Sequence, residues 1–144
     1  MSVHVVTEFS IAETMAAIII ALAYITLFSL LREPNRQNLS AIIVAGAGGV
    51  YLSGGLGVWE FAFSSIMLFM AFKGHKHYYF IGIGWLMHSA WDLMHHFYGN
   101  PIVPFNPSSS AGCCICDIIL AAWFFFGAPS VFEILKSRKT AISE

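Results

Sequence analysis

His88, Asp92, His95 and His96 stand close together in the run GIGWLMHSAWDLMHHFYGN, among tryptophan, leucine and methionine. If that run is helical, the spacings i, i+4 and i+7 or i+8 put His88, Asp92 and one of the two adjacent histidines on a single face. Neighbouring residues on a helix diverge by about 100°, so His95 and His96 have equal claims to that face and do not share it. Imidazole nitrogens and a carboxylate converging in this way are ordinary ligands for a divalent metal, zinc or iron above all. The helical zinc signature HEXXH is absent, so the metal assignment rests on spacing alone.

Other ionisable groups sit in equally apolar surroundings. Glu60 lies in GVWEF, and Asp117 follows Cys113, Cys114 and Cys116. A carboxylate so placed is costly unless it is paired, protonated or bound to a cation. Glu60, Asp92 and Asp117 are therefore the candidate catalytic carboxylates, with Glu60 as general base and His88, Asp92, His95 and His96 as candidate metal ligands. Plainer roles stand beside these: His88 and Asp92 can simply hydrogen-bond to each other, and Glu13, near a helix start, can reach water. The three cysteines are too close together for a spaced disulfide framework or a pair of CxxC knuckles and read as small packing residues.

The elements that position these groups follow from composition. Of 144 residues, 58% are hydrophobic and 10% charged, and the mean hydropathy is +0.73. A water-soluble domain of this length needs more polar surface, so the expected fold is all-α: one integral membrane helical bundle over residues 1–144. A net charge of -1 offers no field for nucleic acid, and none is expected as a partner. A span takes about 20 apolar residues, and five are predicted, at about 10–31, 39–53, 56–72, 78–98 and 111–135. The apolar run Leu39 to Phe72 is too long for one ordinary span, and Ser53-Gly54-Gly55 is a turn signal in its middle. With five spans, Arg32, Arg36, Lys73, Lys76, Lys136, Arg138 and Lys139 all fall on one side. Cytoplasmic loops collect such residues, which predicts an outside N-terminus and a cytoplasmic C-terminus in a multi-pass protein of the cell membrane. Four spans, the alternative, destroy that asymmetry. The opening MSVHVVTEFS lacks the basic stretch of a signal peptide, so the first helix is expected to be retained. Ala41, Ala45, Gly49 and Ser53 form a small-residue stripe on the second helix, suited to close packing and to a homo-oligomer.

This topology brings the scattered groups together. His95, Asp92 and His88 fall about 5, 9 and 15 Å below the outer end of the fourth helix, and Glu60 and Asp117 about 6 to 9 Å below theirs. All then share one layer facing the outer leaflet. The loop Gly99 to Ser110, stiffened by three prolines, follows on the same side, with Ile102 and Phe105 able to dip toward lipid.

The strings GVWEFAF (57–63), FIGIGWLMHSAWDLMHHFYGNPIVPF (80–105), CCICD (113–117) and FFGAPSVF (125–132) resemble an uncharacterised family of small polytopic membrane proteins, a domain of unknown function. The resemblance covers residues 50 to 132 and implies a multi-pass protein with these polar strings as its signature; it implies no activity, cofactor or substrate. A looser similarity links the chain to membrane hydrolases that hold zinc through His and Asp on several helices, the ceramidase and progestin-receptor-like group, although spacing and span count differ. Three functions follow as expectations. The first is a membrane-embedded, metal-assisted hydrolase acting on a lipid-like or isoprenoid substrate. The second is a metal-free acid/base isomerase or epoxide-opening enzyme resembling the membrane terpene cyclases. The third is a carrier of metal ions or protons.

Overall fold

Ser10 opens the first helix because it and Glu13 satisfy each other's backbone. Ser10 Oγ accepts from the Glu13 N–H at 3.2 Å, and Glu13 Oε2 accepts from the Ser10 N–H at 2.8 Å. Two donors that a helix start leaves unpaired are thereby used. The computed structural model describes residues 10–142 and forms six helices: α1 (Ile11–Ser29), α2 (Asn35–Gly49), α3 (Val58–Gly74), α4 (Tyr78–Tyr98), α5 (Ser109–Phe125) and α6 (Val131–Ile142). No strand occurs among the described residues. Residues 1–9, which carry the expectation about a signal peptide, lie outside them.

The run from Leu39 to Phe72 is two helices. α2 ends at Gly49, and the turn before α3 uses Gly55 at φ 100° and Gly57 at φ 65°, left-handed backbone that a β-carbon disfavours. The predicted fifth segment, 111–135, is corrected. α5 stops at Phe125, Gly127 and Ala128 take φ of 80° and 47°, and Pro129 follows. A proline restricts the residue before it and lacks the N–H that a continuing helix needs. The apolar residues beyond the break therefore open α6, which continues into Lys136, Arg138 and Lys139. Among the described residues, α1 alone is long and apolar enough to cross a membrane, with a mean hydropathy of 2.1; α5 is a shorter apolar helix.

The first five helices alternate in direction, with α4 packed against α2, α3 and α5, and α1 packed on α5. At one end, called the outer end here, the Asn100 N–H donates to the Gly54 carbonyl at 2.7 Å, and the Ser108 hydroxyl donates to Glu13 Oε1. At the opposite, inner end, Gln37 Nε2 donates to the Gly74 carbonyl at 2.8 Å and Ser130 Oγ to the Ser29 carbonyl at 3.1 Å. Arg36 closes that end: its guanidinium donates to the carbonyls of Phe28, Leu31 and Ala128 and lies 3.4 Å from Glu33. Carbonyls in the segments that follow α1 and α5 are thus satisfied by one side chain.

Val44, Met67, Ile81, Leu120 and Phe124 form the centre of the core. α2 turns Ala41, Val44 and Gly48 inward, whereas Ala45 and Gly49 of the predicted stripe are half-buried and Ser53 is exposed. A β-carbon on Gly48 would lie 2.5 Å from Met67 Cβ, so glycine there sets how closely α2 and α3 approach. The outside is strongly apolar: Ile11, Ile19 and Leu27 of α1, Phe61, Leu68 and Phe72 of α3, and Leu86 and Leu93 of α4 are all exposed.

Candidate functional site

The inward face of α4 repeats at alternating steps of four and three: Ile81, Trp85, His88, Asp92, His95. The same periodic face is apolar in its inner half and ionisable in its outer half. His88 is fixed first. Its Nε2 lies 3.0 Å from the Ala47 carbonyl of α2, and since a carbonyl only accepts, Nε2 carries the proton and donates. Nδ1 therefore faces the carboxylates, 2.7 Å from Asp117 Oδ2 of α5 and 3.4 Å from Asp92 Oδ2 one helical turn along.

Asp92 is fully buried and half satisfied. Oδ1 accepts from the Tyr51 hydroxyl at 2.7 Å, and that hydroxyl lies 3.0 Å from Ser110 Oγ. Oδ2 has no hydrogen-bond partner. His88, Asp92 and Asp117 thus each offer a ligand atom within 4.8 Å of the others. Two carboxylates against one imidazole leave an excess of negative charge away from water, which added protons or a divalent cation would balance. The His88 ring has the arrangement common in metal ligands, its second nitrogen donating to a backbone carbonyl. Ligands on a tetrahedral ion with bonds of about 2.0 Å sit about 3.3 Å apart. The 3.4 Å separation from His88 to Asp92 fits that figure; the 2.7 Å separation to Asp117 is a direct hydrogen bond and would have to open.

His95, not His96, faces the bundle. It is 1% exposed, and its ring stacks on Tyr51 with centroids 3.8 Å apart. β-Carbons on Gly54 and Gly99 would come 2.4 Å and 2.3 Å from that ring, so both glycines are needed to admit it. Neither ring nitrogen has a hydrogen-bond partner, and Nε2 stops 4.0 Å from Oε1 of Glu60. Glu60, 2% exposed, accepts from the Leu56 N–H at 2.8 Å and so also fastens the start of α3. His96 is half-buried and lies beside Phe97.

The predicted ligand set is therefore divided. His88 and Asp92 meet Asp117, a candidate catalytic carboxylate from the next helix; His95 pairs with Glu60 about two helical turns away; His96 joins neither. Glu13 serves as a cap and as the anchor for Ser108. Ser89 Oγ donates to the Cys114 carbonyl at 3.0 Å and lies 3.2 Å from its thiol, while Cys113 and Cys116 line a cavity of about 250 Å³ between α1, α5 and the loop before α5. That loop is fastened by Ile102 N–H to Ser110 Oγ and Val103 N–H to Ser109 Oγ, with Phe105 exposed at its tip. The spacing of the ionisable residues gives no place in the site to Tyr51 or Ser110, nor to Gly54 and Gly99 as the residues that admit His95. Tyr51 carried a signal: it is the one aromatic hydroxyl in the small-residue run AGAGGVYLSGG. A cleft of about 360 Å³, lined by Tyr51, Gly54, Asn100 and Pro101 among others, opens above it at the outer end.

Residues 12–130 match the model of a family described as "Family of unknown function (DUF6010)". The chain belongs to that family. No curated protein and no solved structure matches it. The DUF6010 match reaches from the start of α1 to the break before α6, beyond the resemblance read from residues 50 to 132, and contains every member of both polar groups as well as Arg36.

Proposed function

We propose that this DUF6010 protein is a multi-pass protein of the cell membrane and works there as a metal-assisted hydrolase on a lipid-like or isoprenoid substrate, with His88, Asp92 and Asp117 holding zinc or iron. The observation that carries the metal is Asp92 Oδ2, buried without a hydrogen-bond partner and facing one imidazole nitrogen and a second carboxylate. An ion bound there would supply a nucleophilic hydroxide near neutral pH and polarise a substrate carbonyl. The chain's own residues do the rest: the Ala47 carbonyl fixes the His88 tautomer, the Tyr51 hydroxyl orients Asp92, and the cleft above Tyr51 gives access from the outer end. Support for the membrane comes from the reversed polarity of the bundle, apolar outside with carboxylates and imidazoles inside, and from lysines and arginines that leave the outer end free of fixed positive charge.

A metal-free acid/base enzyme is the second reading, and the 2.7 Å contact between His88 and Asp117 favours it, because a shared proton suits that distance better than an ion does. Metal analysis of detergent-purified protein separates the two. One equivalent of zinc or iron, lost in His88→Ala and Asp92→Ala, is expected; turnover by metal-free protein would overturn the hydrolase as proposed. For topology, single cysteines at 53, 109 and 137 in a background lacking Cys113, Cys114 and Cys116 should label from the outside at the first two and from the inside at the third. Opposite labelling of 53 and 109 would remove the multi-pass reading.

A further inference from the structure

Between α3 and α4 runs a lateral groove of about 380 Å³ whose walls are almost wholly apolar, formed chiefly by Trp59, Phe63, Ile66, Met87, Trp91 and Met94. Its volume lies in the range of small-molecule sites. Phe63 stacks on Trp91 at 4.5 Å, and Trp91 meets the edge of the His95 ring at 5.8 Å, so the buried pair of Glu60 and His95 stands directly behind the groove's aromatic wall without lining the groove itself. Both members are nearly inaccessible, and neither nitrogen of His95 is bonded. We infer that this groove and pair form a binding site for a single-chain amphiphile with an uncharged hydroxyl head, the chain lying along Trp91 and the hydroxyl bridging His95 Nε2 and Glu60 Oε1. The inference goes beyond the proposed function by naming a ligand class for the second polar pair, and it depends on the membrane reading but not on the metal.

The geometry of the pair selects the head. A gap of 4.0 Å is too wide for a hydrogen bond, but one oxygen about 2.8 Å from each atom spans it. A hydroxyl can donate to the carboxylate while accepting from the imidazole N–H, which water or an alcohol can do and a carboxylate head cannot. Charge excludes the common anionic heads. All seven lysines and arginines are at positions 32, 36, 73, 76, 136, 138 and 139, toward the inner end and on α6, so no fixed cation is available to hold a phosphate or carboxylate beside Glu60.

Tryptophan quenching by brominated amphiphiles tests this, since Trp59 and Trp91 line the groove. Full-length, chelator-treated protein in nanodiscs is titrated with 11-bromoundecanol, 11-bromoundecanoic acid and 11-bromoundecyl phosphate. The alcohol should quench saturably and at least tenfold more tightly than the other two; equal quenching by all three, or quenching that never saturates, would mean ordinary lipid contact and overturn the site. Ala90→Phe, at the exposed rim of the groove, should abolish the saturable component, and His95→Leu should remove the preference for the alcohol while leaving chain binding. Because no metal is present, alcohol selectivity without metal binding would reject only the hydrolase, and metal binding without selectivity only this site.

Discussion

Arg36 and Asp92 are buried to a similar degree at opposite ends of the same bundle, yet they are in opposite states. Every nitrogen of the Arg36 guanidinium donates to a carbonyl, and Glu33 stands 3.4 Å away, so no nitrogen of it is left unpartnered. Asp92 keeps one oxygen on Tyr51 and turns the other, unpartnered, toward His88 and Asp117. Burial of an ionisable group therefore does not by itself mark a working site. Saturation separates the two: a group whose bonds are all used holds the fold, and one whose bonds are open inside the protein is poised for something else.

That contrast breaks first at Arg36. Arg36→Ala leaves the carbonyls of Leu31 and Ala128 without their partner and that of Phe28 with backbone bonds alone, and should cost about 3–5 kcal/mol by thermal or denaturant unfolding in detergent, with Arg36→Lys restoring only part. A change below about 0.5 kcal/mol would show that these bonds are not what closes the inner end. Gly54→Ala comes next. Its methyl must displace the His95 ring, for a loss of about 1–3 kcal/mol, while metal bound at His88, Asp92 and Asp117 should stay. Loss of that metal would show the two polar groups to be one. Tyr51→Phe should cost about 1 kcal/mol and weaken metal binding by about 10–100-fold, since the hydroxyl that orients Asp92 is gone. The smallest change in stability is expected for Asp92→Asn, within about 1 kcal/mol of wild type, because the amide oxygen still accepts from Tyr51 and one buried charge is removed. The same variant should bind no metal. Strong destabilisation by Asp92→Asn, with metal retained, would place Asp92 beside Arg36 as scaffold.

Much of the arrangement was legible because it is local. The step of four and three along α4 made His88 and Asp92 one face before any contact was known, and Ser53-Gly54-Gly55 marked the turn that splits the long apolar run. The break at Gly127, Ala128 and Pro129 is equally local but leaves no mark in hydropathy, because the apolar residues continue on both sides of it and hydropathy carries no information about backbone direction. His95 and His96 were indistinguishable from spacing alone, since both are neighbours of the same face and only packing against Tyr51, Gly54 and Gly99 decides which ring enters.

Composition and periodicity by themselves determined an all-helical chain, apolar outside, with His88, Asp92 and a neighbouring histidine on one face of its fourth helix, because those are properties of contiguous residues and of what each side chain costs to bury. Only the tertiary structure decided that Asp117 rather than His95 joins His88 and Asp92, and that His95 and Glu60 form a separate pair. Partnership between side chains remote in sequence depends on helix rotation and axial offset to within about an ångström, and those are settled by the close approach of α2, α4 and α5 around Ala47, Tyr51 and Ser110.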